Sequence, residues 1–228
     1  MIRIVTWNCC RGKPEAKLPR LLDLDPDIVV LQECARPARL HRQTEVWYGD
    51  NPNQGLLVRV NNGLHLKPSN RKRITARFFL PVQVTGKVAF NLLSIWAKPS
   101  KQRPIYVTTL FRGMTAYHDF IKFVPSVVLG DLNTARYLSA GDSHMQFVNL
   151  LKDEFALVSA YHEHFGVDHG DEIHSTYFDR TKKGKPFHID YCFIPMSWLP
   201  RLRKVTVGQP KDWLDLSDHT PLIIEVNT

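Results

Sequence analysis

The apolar residues of this chain fall in short runs separated by Gly, Pro, Asn and charged residues. The first run, residues 2–7 (Ile-Arg-Ile-Val-Thr-Trp), is rich in β-branched residues and partly alternates apolar with polar, which predicts a strand. Over 14–23, Leu18, Leu21 and Leu22 recur at a helical period, and Asp25-Pro26-Asp27 supplies the break. Ile28-Val29-Val30-Leu31 is continuously apolar, the pattern of a strand covered on both faces. The chain is therefore expected to open as strand, helix, strand. Further strands are predicted at 55–60, 78–84, 90–96, 126–129, 188–193 and 222–226, and helices at 101–114 in part, 116–123 and 144–152. No internal repeat, low-complexity tract or linker-like stretch marks a boundary. One α/β domain spanning 1–228, with two packed sheets, is the expected architecture.

Composition narrows the class. The chain has 228 residues, 43% hydrophobic and 23% charged, which fits a packed globular protein and excludes a disordered or coiled-coil chain. No run approaches the roughly 18 unbroken apolar residues of a membrane span, and residues 1–8 read as a strand rather than a secretory signal. A cytoplasmic protein without a membrane span, acting as a monomer, is the expectation. Cys9, Cys10, Cys34 and Cys192 contain no C-x-x-C spacing, so neither a zinc knuckle nor a dithiol redox pair is indicated, and four reduced thiols are expected. The formal charge of +8 is less ordinary and favours an anionic partner: nucleic acid, a phosphorylated small molecule or an acidic surface. The basic clusters are short (Arg71-Lys72-Arg73, Lys182-Lys183-Gly184-Lys185 and Arg201-Leu202-Arg203-Lys204), so charge alone does not choose among these.

Candidate chemistry sits where apolar runs end. Trp7-Asn8, Leu31-Gln32-Glu33, Leu129-Gly130-Asp131-Leu132-Asn133 and Ser217-Asp218-His219 each place a polar, metal- or phosphate-binding residue beside a strand, while Asp190 in His188-Ile189-Asp190-Tyr191 lies within one. Asp131 and Asn133, two apart, point the same way if the extended backbone continues. Any one of these is ordinarily a turn or cap residue. Together they make an oxygen-rich set suited to Mg²⁺ or Mn²⁺, with an imidazole for acid–base chemistry near neutral pH.

In this order, Thr6-Trp7-Asn8, Leu31-Gln32-Glu33, Gly130-Asp131-Leu132-Asn133, Ile189-Asp190-Tyr191 and Ser217-Asp218-His219 resemble the motifs of the endonuclease/exonuclease/phosphatase superfamily. The resemblance runs from Thr6 to His219 and implies a four-layer α-β-β-α sandwich with two mixed, mainly antiparallel sheets inside. It also implies divalent-metal-dependent hydrolysis of a phosphoester. Carried over motif by motif, Glu33 would be the principal metal ligand with Asn8 beside it, and Asp218 a second metal-side or structural acid. Asp131 and Asn133 would orient the attacking water and the scissile phosphate. His219 would be the catalytic imidazole, oriented by Asp190. The family's further histidine has no counterpart in 91–99, where Trp96 either fills an aromatic slot or belongs to the core, and Lys98 is a candidate phosphate contact. A nuclease or phosphodiesterase acting on nucleic acid is the leading expectation. A phosphatase of a small phosphorylated molecule or lipid headgroup is the alternative, and a non-catalytic binding module the third. The histidine-rich stretch 161–174 is expected to be a polar loop beside the active site, with a separate transition-metal site as the other reading.

Overall fold

The computed structural model describes residues 1–70, 78–98, 106–138, 141–179 and 185–227. Arg71-Lys72-Arg73, Arg103 and 182–184 of the lysine cluster lie outside them. The strands are, in chain order, β1 (Ile2–Asn8), β2 (Ile28–Cys34), β3 (Glu45–Asn51), β4 (Gln54–Val60), β5 (His65–Pro68) and β6 (Phe79–Thr85). They continue with β7 (Phe90–Trp96), β8 (Ser126–Asp131), β9 (Leu157–Ser159), β10 (Asp190–Pro195), β11 (Leu202–Val207) and β12 (Leu222–Val226). The helices are α1 (Pro14–Leu22), α2 (Tyr106–Ala116), α3 (His118–Lys122), α4 (Gly141–Phe155), α5 (Ala160–Phe165) and α6 (Pro210–Trp213). One six-stranded sheet runs β11-β12-β1-β2-β4-β3 and the other β5-β6-β7-β8-β10-β9. Both are mixed, with β1–β2 and β7–β8 the parallel pairs inside otherwise antiparallel neighbours.

The period-2 alternation of the strands sorts side chains into layers. Ile2, Ile4, Ile28 and Val30 from the first sheet meet Leu92, Val127, Leu129 and Cys192 from the second in the core between the sheets. The opposite faces are covered separately. Val5, Trp7, Val29 and Leu31 pack with Leu18 and Leu21 of α1 and with Trp213. Leu93, Ile95, Val128 and Phe193 pack with residues of α2 and α4 and with Ile121 of α3. The four-layer sandwich expected above is the fold observed. Three of the four free cysteines, Cys9, Cys34 and Cys192, are buried, and Cys10 is half-buried. Among the described residues no helix is long and apolar enough to cross a membrane.

One expectation is corrected. Asp190 is the first residue of β10 rather than an interior one. Its amide and that of Ile189 go to Thr176 Oγ1, at 3.2 and 3.1 Å, so the ladder begins only there.

Asp27 anchors the β1–β2 unit. Its Oδ2 accepts the Arg3 amide at 2.8 Å, and Oδ1 meets Lys87 Nζ at 2.6 Å and Asn62 Nδ2 at 3.2 Å. Burial opposes its charge, but these donors overcome that and hold the carboxyl below its usual range. A depressed carboxyl stabilises the fold above the unfolded value near pH 4 and loses that contribution as pH falls through the folded value. Asp27→Ala should therefore lower unfolding free energy by about 2–3 kcal/mol at neutral pH, with the gap from wild type closing below about pH 4. Urea midpoints measured at pH 7 and pH 3 check this, and equal midpoints at pH 7 would refute it.

Candidate active site at the rim between the sheets

Asn8, Asp131 and Asp190 share a strand parity with the inward residues Ile4, Leu129 and Cys192, so all three point between the sheets. They stand at the ends of β1, β8 and β10, where the apolar filling stops. Register brings them close: Asp190 pairs with Asp131 across β10 and β8, and Asn8 with Gln32 across β1 and β2. Asn8 Nδ2 spans the gap between sheets, donating to Asp131 Oδ2 at 2.9 Å and lying 3.4 Å from Glu33 Oε1.

Glu33 reaches this rim through backbone strain. The β2–β4 register shifts between Leu31 and Cys34, and Glu33 adopts φ 59°, the left-handed region a non-glycine residue seldom occupies. A bulge of this kind re-aims a side chain, and such strain concentrates at functional sites. Asn133 has φ 49°, and its amide and Nδ2 donate to Asp131 Oδ1 and Oδ2 at 2.9 and 2.8 Å. Gly130, at φ +136°, makes the approach possible, because a Cβ there would lie 1.9 Å from the Ile95 carbonyl oxygen.

The second half of the site is a buried pair. His219 Nδ1 donates to Asp190 Oδ2 at 2.8 Å, the residues being 4% and 0% exposed. Burial opposes a charged imidazole, yet the Asp190 carboxylate beside it prevails and raises His219 to about 9. Asp131, Asp190 and His219 each offer a ligand or proton-carrying atom within 4.8 Å of the others. Burial first, and then the Asp190 charge, push the Asp131 carboxyl well above the usual range. Asp190 Oδ1 is buried and has no hydrogen-bond partner among the described residues. Clustered carboxyls, one left short of a donor, fit a hard divalent cation.

Several contributors escaped sequence reading. Gln54 Nε2 donates to Glu33 Oε2 at 3.0 Å, and its Oε1 accepts from Lys98 Nζ at 3.3 Å, so one amide links the bulged carboxylate to a lysine on the opposite sheet's rim. Ser217 Oγ donates to the Asn8 carbonyl at 2.6 Å and accepts the His219 amide at 3.0 Å. Trp7 Nε1 donates to the His219 carbonyl at 2.8 Å. Ser217 and Trp7 lie inside the motifs read above, whereas Gln54 and Thr176 carry no local signal. Asp218 is half-buried beside the Cys10 thiol, which burial and then this carboxylate push up, and its charge also helps to raise His219. Trp96 is a core residue, 3% exposed, with its ring 5.0 Å from that of Phe78 and Lys98 Nζ 4.4 Å above it.

No family model matches the chain, and no curated protein matches it. Solved structures do. An AP endonuclease from Archaeoglobus fulgidus superposes with a TM-score of 0.75 at 16% identity, covering all of both chains. The 3' phosphatase NExo from Neisseria, bound to a product DNA hairpin, gives 0.75 at 19% identity, again over both whole chains. The endonuclease domain of TRAS1, a telomere-specific non-LTR retrotransposon, gives 0.68 at 16% identity, covering all of this chain and 99% of that one. These likenesses, at 16–19% identity, show a shared fold.

Proposed function

We propose that residues 1–228 work as one catalytic domain that hydrolyses phosphodiester bonds in nucleic acid with the help of a divalent cation. The observation that carries this reading is the junction of two hydrogen-bonded sets at one rim, Asn8–Asp131–Asn133 and Asp190–His219. Nucleic acid is favoured by the +8 charge and by the DNA hairpin in the NExo structure. The protein is proposed to act in the cytoplasm, as a monomer.

Glu33 would hold the cation, of the Mg²⁺ or Mn²⁺ class, with Asn8 beside it and Asp218 as a more distant metal-side acid. When bound, it would neutralise charge growing on the phosphoryl oxygens. Asp131, its carboxyl raised toward neutrality, accepts a proton from the attacking water, while Asn133 keeps that carboxylate oriented. His219, charged at neutral pH and held at Nδ1 by Asp190, offers Nε2–H to a phosphoryl oxygen. Lys98 contacts a substrate phosphate, and Trp96 supports it from below.

The test pairs turnover with salt dependence. The chain should cleave single- or double-stranded nucleic acid or an abasic duplex with Mg²⁺ or Mn²⁺, in preference to an inositol phosphate. The inactive Asp131→Asn variant should bind a short oligonucleotide with log affinity falling by about 0.7–0.9 per log salt for each phosphate contacted. A slope near zero together with ready hydrolysis of the inositol phosphate would replace the nuclease reading by a small-molecule phosphatase.

A further inference from the structure

The histidine-rich stretch is not the polar loop expected from its composition. Its first part is the helix α5, and His162 is only 7% exposed. Around it gather His169 and Glu172 from the irregular segment that follows, His144 from α4 and His188 just before β10.

We infer that His162, His169 and Glu172 form a second metal site, separate from the rim described above, that takes a borderline divalent transition ion such as Zn²⁺. One ligand atom from each of the three lies within 4.8 Å of the other two. His162 Nε2 and Glu172 Oε1 are 3.1 Å apart, close to the roughly 3.3 Å that separates two ligand atoms on a tetrahedral zinc with bonds near 2.05 Å. The His169 ring stacks on His162 with centroids 3.5 Å apart and planes 16° from parallel.

The outer atoms of the ligands are already held. His162 Nδ1 lies 2.7 Å from Ser159 Oγ, and His169 Nδ1 lies 3.1 Å from His144 Nε2, which leaves the Nε2 atom of each ring as its ligand. Glu172 Oε2 accepts the Gly170 amide at 3.1 Å. Anchoring of the non-ligating atom is what orients metal-binding histidines and carboxylates.

Charge points the same way. The Glu172 side chain is 1% exposed, and among the described residues its one ion-pair partner is His162. Two further buried ring nitrogens, His144 Nδ1 and His188 Nε2, have no hydrogen-bond partner among the described residues. The cluster thus holds a buried carboxylate and unpartnered buried ring nitrogens, which a divalent ion would serve. Two imidazoles select the zinc class over Mg²⁺. An open cavity of about 540 Å³, lined in part by Ser159, His162, Asp168 and His169, gives an ion its way in.

The full-length chain should be stripped with a chelator, loaded with Zn²⁺ or, for its visible ligand-field bands, Co²⁺, dialysed, and assayed by elemental analysis. One equivalent should remain in the wild type and in Glu33→Gln, whose substitution lies at the other site. His162→Ala and Glu172→Gln should lose the ion. His169→Ala, altering a half-buried side chain, keeps the test decisive if those variants do not fold; it should weaken affinity at least about 10-fold with an unchanged circular dichroism spectrum. The inference is overturned if the wild type retains no ion. It is equally overturned if folded His169→Ala retains it with wild-type affinity, or if Glu33→Gln abolishes it.

Discussion

Glu33→Gln should turn over whichever substrate the wild-type chain cleaves more than about 100-fold more slowly at limiting Mg²⁺. Loss of groups that merely support a metal ligand already costs about 10–100-fold, and removal of the ligand's charge should exceed that. The substitution keeps the shape of the side chain and removes one negative charge from a rim that also carries Asp131 and Asp190. The fold should survive, because Asn8 and Gln54 approach the two oxygens as amide donors at 3.4 and 3.0 Å, and the Gln54 amide can turn to present its oxygen instead. Initial rates across a Mg²⁺ titration, with a thermal melt as the folding control, measure the effect. A folded variant with wild-type rates at limiting Mg²⁺ would remove Glu33 from the site.

The central strands were legible because each is a run of apolar residues buried on both faces. β1, β2, β4, β6, β7, β8, β10 and β12 were all anticipated, to within a few residues at their ends. The four that escaped, β3, β5, β9 and β11, are the four edges of the two sheets. An edge strand has one ladder partner and needs less apolar covering, so it is short or polar on one side: β9 has three residues, and β11 alternates exposed Arg203 and Lys204 with buried Val205. The site shows the same division. Asn8, Glu33 and Asp131 announce themselves where apolar runs stop. Gln54 and Thr176 act only through hydrogen bonds to segments far along the chain, and nothing local in the sequence encodes such a partner. The histidine stretch misled because its composition is polar, whereas mutual pairing of His162 with Glu172 and of His144 with His169 lets those side chains enter the interior.

His219→Ala should lower the rate by about 10²–10⁴-fold, the usual span for loss of a positioned acid–base group. Asp190→Asn should fall in the same range by a different route. Asp190 is fully buried, 2.8 Å from His219 Nδ1, and its charge is what keeps the His219 imidazole protonated against the cost of burial. A neutral amide at 190 can still hydrogen-bond the ring but no longer compensates its charge, so the imidazole sheds its proton and the donor facing the phosphate is lost. Because both substitutions disable one proton, the double variant should be little slower than the slower single one. Rates that multiply would show the two residues serving separate steps. A thermal melt on each variant separates this from misfolding, since removing His219 also leaves a buried carboxylate without its partner. If His219→Ala is folded and retains wild-type turnover, the paired carboxylate and imidazole are structural, and the proton donor must be sought elsewhere on the rim, where Arg11 Nε lies 4.0 Å from Glu33 Oε2 and Lys98 is linked to Glu33 through Gln54.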